Sequence, residues 1–60
     1  MDYTYKSDDN YRYEVKINYL IGVIDKYDFL YFKSEDSAKR FVIDHMSDFN
    51  QIIYRGEIKI

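Results

Sequence analysis

The chain has no cysteine, no proline and no tryptophan, and only two glycines and one histidine. Without cysteine, neither disulfides nor thiolate metal ligands can supplement the core. One histidine cannot assemble a structural zinc site. The two glycines, Gly22 and Gly56, are isolated, so there is no glycine-rich loop to cradle a phosphate. Long apolar runs are missing too: the longest is Leu20 to Ile24, far short of a membrane span. The opening residues MDYTYKSDD lack a basic-then-apolar signal pattern, which predicts a cytoplasmic protein with no membrane partner. A marked excess of one charge is also lacking, with eleven acids against nine bases and a net charge of −2. That balance argues against direct nucleic-acid binding, which usually shows a basic excess.

What is abundant is aromatic surface: eight tyrosines and four phenylalanines in 60 residues. A chain this short makes one domain, residues 1–60, and buries a smaller share of its surface than a large one. A dense aromatic core and self-association are the routes to stability left open to it. Residues with AT-rich codons (Phe, Tyr, Met, Ile, Asn and Lys) fill slightly more than half of the chain. With a frame that begins at Met1, this predicts a small gene from an AT-rich genome, such as a low-GC bacterium, its phage or another mobile element.

Ser34 to Phe49 carries the one helical period. Ala38, Phe41, Val42, His45 and Phe49 recur at spacings of three and four and gather on one face. Ser34 is placed to cap the N-terminus, and Glu35 and Asp36 suit the positive end of the helix dipole. Glu35 with Lys39, Asp36 with Arg40, and Arg40 with Asp44 form oppositely charged pairs four apart. The spacing predicts a helix that ends near Phe49 with Asn50 as a left-handed cap.

The remaining segments read as strands. Tyr11 to Leu20 alternates, with Tyr11, Tyr13, Val15, Ile17 and Tyr19 on one face and Arg12, Glu14, Lys16 and Asn18 on the other. Residues 21–26 hold the reversal, or else extend the strands through Ile21, Val23 and Ile24. Tyr27 to Lys33 is apolar on both faces: Leu30 and Phe32 share one side, Phe29 and Tyr31 the other. Gln51 to Ile60 is the last strand, its alternation broken by Ile53, with Gly56 marking a bulge or a close approach. Residues 1–10 form either a short edge strand plus turn, as a hairpin from Tyr3/Tyr5 onto Tyr11/Tyr13, or a frayed end. The pattern predicts an α+β domain, a three- or four-stranded sheet with one helix on one face, in the order (β)ββαβ. The last strand lies either parallel to the Tyr27 strand or antiparallel to the Tyr11 strand.

No set of side chains forms a catalytic, cofactor or metal constellation, so the chain reads as non-enzymatic with no cofactor. His45 reads as a core-edge histidine rather than a metal ligand or pH switch. The tyrosines fill the core and its rim, and those left over suit a protein interface. A single helix covers one face of a sheet, which leaves Tyr27, Phe29 and Tyr31 as the candidate partner-binding surface. Acids add a rim to it. The topology gathers Asp8, Asp9, Glu35 and Asp36 near one end and Asp25 and Asp28, with Asp44 and Asp48, near the other. Two acidic ends could imitate spaced phosphates and occupy a basic groove.

In size, charge and architecture the chain resembles small phage-encoded inhibitors of host defence, including anti-CRISPR and anti-restriction proteins. That resemblance implies a non-enzymatic accessory protein that inhibits a host or bacterial protein, one that itself binds nucleic acid in the acidic-mimic version, inside the host cytoplasm. Two alternatives stand beside it: a structural homodimer that packs through its sheet, and a single-stranded nucleic-acid binder using the sheet tyrosines.

Overall fold

A computed structural model describes residues 3–59, and the readings that involve Met1, Asp2 and Ile60 fall outside them. The alternating segment forms β2 (Tyr13–Ile21), and the doubly apolar segment forms β3 (Ile24–Phe32). They pair antiparallel from Tyr13↔Phe32 to Ile21↔Ile24. Only Gly22 and Val23 lie between them, so the apolar run Ile21 to Ile24 extends both strands and closes the hairpin. Gly22 has φ of 64° and no other residue of the loop has a positive φ. That matches a type II′ turn, whose twist suits a right-handed hairpin. A Cβ at Gly22 would meet nothing within 4 Å, so the position needs glycine for its backbone conformation and not for space.

The last strand, β4 (Gln51–Glu57), pairs antiparallel with the free side of β2, which settles the alternative left open by the sequence. A bulge follows Tyr54: Val15 faces Tyr54 while Glu14 faces Gly56, leaving Arg55 as the extra residue. Gly56 carries a φ of 97° there. The bulge breaks the alternation, and the strand ends at Glu57 instead of running to Ile60.

At the other edge lies β1 (Tyr3–Thr4), a two-residue strand. It does not form a hairpin onto Tyr11 and Tyr13. It pairs with β3 through Tyr3↔Phe32 and Thr4↔Tyr31, while Asp8 and Tyr11 close a tight turn between themselves. The physical reason is burial: against Phe32 and Phe41, the Tyr3 ring finds apolar partners at 5.7 Å each. The sheet order is β1-β3-β2-β4.

The helix α1 (Glu35–Asp44) begins as the sequence predicts, with the Ser34 hydroxyl accepting from the Ser37 N–H at 3.2 Å. It stops at Asp44, five residues short of Phe49. His45 caps it with φ of −120°, and Asn50 is not left-handed. Beyond Asp44 the chain makes a turn in which the Asp48 N–H donates to the His45 carbonyl. The turn still brings Phe49 against the core and lays the half-exposed His45 ring on Phe41, so the apolar spacing survives where the helix does not. Of the three predicted ion pairs, only Glu35–Lys39 closes among the described residues, at 2.8 Å. Exposed pairs gain little over the entropy of two long side chains. The helix lies across β4, β2 and β3, and the core beneath it is Val15, Ile17, Leu30, Phe32 and Ala38.

Candidate functional site

With the even residues of β3 and the odd residues of β2 turned to the helix, the opposite set faces away from it. The register places Tyr31 beside Glu14, Lys16 between Phe29 and Ile53, Asn18 between Tyr27 and Gln51, and Asp25 beside Leu20. These residues form the open face. The sequence expectation that Tyr27, Phe29 and Tyr31 share it is met, and Asp25 joins them.

The face is knitted together by polar side chains. Glu14 accepts from the Tyr31 hydroxyl and from Arg55 Nε, each at 2.9 Å. The bulge makes the second bond available, because it sets Arg55 level with Glu14. The Arg55 guanidinium then lies 5.8 Å from the centre of the Phe29 ring, and the Lys16 ammonium 5.1 Å from that of Tyr27. Tyr27 and Phe29 meet edge to face at 5.6 Å. Asn18 Nδ2 donates to Asp25 Oδ1 at 3.3 Å. Phe29 and Tyr31 are half-buried by this arrangement, whereas Tyr27 keeps 59% of its surface exposed.

Burial, first, and then the bond to Glu14 raise the Tyr31 hydroxyl above its ordinary value of 10.0, with Arg55 acting in the opposite sense. A raised value means that the stabilisation is fully present below pH 10 and is lost as the pH climbs through the folded value. Titration followed by tyrosinate absorbance or NMR should show Tyr31 ionising above 10, and Glu14→Gln should bring it partway back. A Tyr31 that ionises at 10 would mean that neither its burial nor the Glu14 bond holds in solution, and a shift that Glu14→Gln leaves unchanged would mean that burial acts alone.

The other acidic candidates lie elsewhere. Asp28 is on the helix side of β3, where Oδ2 accepts from the Tyr19 hydroxyl at 2.7 Å. Asp8 accepts from the N–H groups of Asn10 and Tyr11, with Asp9 exposed beside it. Glu35 is engaged by Lys39, and Asp36 is exposed in the first helical turn. His45 Nδ1 and Asp48 Oδ2 are 2.7 Å apart, and the imidazole lies 4.3 Å from the Phe41 ring. No group of three or more ligating side chains among the described residues could hold a metal ion.

Sequence reasoning missed the hairpin tip. Beyond Asn18, β2 has no β4 partner, and past Tyr19, whose ring still packs against the core, residues 20–26 project as a two-stranded ribbon. Leu20 is 56% exposed and diagonal to Tyr27 on the open face, while Val23 at the turn is 98% exposed. Ile21 and Ile24 are exposed on the other face of the ribbon. The run Leu20 to Ile24 was itself the signal, since only a fully extended ribbon leaves it uncovered. Ile53, the break in the last strand's alternation, adds an exposed apolar side chain beside Lys16. Searches against protein families, curated proteins and solved structures find no match.

Proposed function

We propose that the chain is a non-enzymatic protein-binding module that docks through its open sheet face and apolar hairpin tip. The observation that carries this reading is the exposed apolar strip from Val23 through Leu20 to Tyr27, on a ribbon that leaves these side chains open among the described residues. Its partner is a protein with an apolar cleft that receives the tip, flanked by a flat surface for Tyr27 and Ile53. The strip is apolar and carries a tyrosine, as an interface centre does, and Lys16 beside it and the exposed Arg55 farther along the face supply polar groups.

The finer form of the proposal is a phage or mobile-element accessory protein that inhibits a host factor. Small size and AT-rich coding support it. The docking strip carries that form better than acidic mimicry does, because Asp8, Asp25, Asp28 and Glu35 are each engaged in local bonds.

The test is affinity capture from a bacterial lysate with paired variants. Val23→Asp and Tyr27→Ala should each weaken capture of the retained partner, by about thirtyfold if the residue is a hot spot. Ile43→Ser in the last turn of the helix, with Met46→Ser in the turn after it, both exposed, should leave capture unchanged. The reverse pattern would place the interface on the helix. A mobility shift at low salt would favour the single-stranded nucleic-acid alternative instead.

A further inference from the structure

We propose that the outer edge of β3 pairs with the same edge of a second copy of this chain, antiparallel about Tyr27, to form one continuous sheet. This goes beyond the docking proposal and does not depend on it. The edge is free: β1 pairs only with Tyr31 and Phe32, so among the described residues nothing hydrogen-bonds along β3 from Ile24 to Leu30 on that side. A two-residue hairpin closes on a hydrogen-bonded pair, here Ile21–Ile24, and antiparallel pairs then alternate. Residues 24, 26, 28 and 30 therefore direct their backbone groups at β2, and Asp25, Tyr27 and Phe29 direct theirs outward. The alternation is visible on the other side of β2, where the Asn18 carbonyl accepts from Asn50 next to β4.

Three outward residues centred on Tyr27 fix the register. Tyr27 faces Tyr27 of the second copy, Asp25 faces Phe29, and six backbone hydrogen bonds can close. The same register sets Lys26 opposite Asp28 twice, at positions where cross-strand side chains approach most closely. Neither residue has an ion pair within the chain among the described residues. Asp28 accepts from Tyr19 through Oδ2, which leaves Oδ1 for the lysine. Moving the centre by one residue sets Lys26 against Lys26, or Asp28 against Asp28. Like charges directly opposite are destabilising, so charge complementarity selects the Tyr27 register. The competing edge, β4, is interrupted by the bulge at Arg55 and Gly56, a device that discourages pairing.

The strip is short, so association is reversible and concentration-dependent. Sedimentation of the isolated chain over a concentration series should show monomer passing to dimer. Amide exchange at Asp25, Tyr27 and Phe29 should slow in step with the dimer. Lys26→Asp and Asp28→Lys should each weaken self-association by roughly tenfold, since two facing pairs turn repulsive. An equimolar mixture of the two variants should restore it, because every reversed charge then meets its opposite. A monomer at all concentrations overturns the proposal, as does a dimer that ignores both reversals or is not recovered on mixing. If a variant misfolds by circular dichroism, amide exchange on the unaltered chain decides alone: uniform exchange at those three residues overturns the edge pairing. No outcome here bears on capture of a different protein.

Discussion

Phe32→Ala is expected to lower the urea midpoint of the chain sharply, by removing a third or more of its stability. Phe32 is 1% exposed and sits between Tyr3 and Tyr13 in the register, with the Phe41 ring 5.2 Å above it. Truncating a buried phenylalanine costs about 3–5 kcal/mol, from lost transfer energy and the cavity left behind. A domain of this length has a total stability of only ~3–9 kcal/mol. The single change therefore removes a third or more of what holds the fold together, and it also strips the edge strand of the ring that Tyr3 packs on. Urea titration followed by far-ultraviolet circular dichroism checks this. A midpoint close to that of the unaltered chain would show that the aromatic cluster is not the keystone.

Ala38→Leu should destabilise the fold by about 1–3 kcal/mol from the opposite cause, overpacking. Ala38 is fully buried, at 0% exposure, and it is where the helix comes down onto the sheet. Three added carbons have no space to enter, so the helix must lift away from Val15 and Leu30. Thermal unfolding and near-ultraviolet circular dichroism would register the lift as a lower midpoint and a weakened aromatic signal. An Ala38→Leu protein as stable as the parent would mean that the helix is seated elsewhere. Together the two substitutions test the core from both sides, one by emptying it and one by overfilling it.

The strands and the helix start were legible because their signals are local. Period-two alternation marks β2, and Ser34 with Glu35 and Asp36 marks the cap. The helix end was not legible, because His45 and Phe49 keep helical spacing while serving the core from a turn. The partner of β1 was not legible either: two residues carry no register information, and the decision belongs to Phe32 and Phe41, far away in sequence. For the candidate site, parity alone placed Tyr27, Phe29 and Tyr31 on one face. It could not foresee that Arg55 would cover Phe29, since that depends on an extra residue at the bulge. The same parity separates Asp25 from Asp28, which the grouping of the acids by the ends of the strands puts together.

The projecting ribbon has a dynamic consequence. Rows from Tyr13 to Asn18 are held between β3 and β4 and roofed by the helix, whereas residues 20–25 are held by one neighbouring strand. Local opening costs least where few apolar contacts and many solvent-facing hydrogen bonds meet. The tip can therefore bend, twist or fray without disturbing Val15 or Leu30. Two mechanical regimes coexist in one hairpin: a stiff base that fixes direction, and a compliant end that can fit its apolar side chains to whatever receives them.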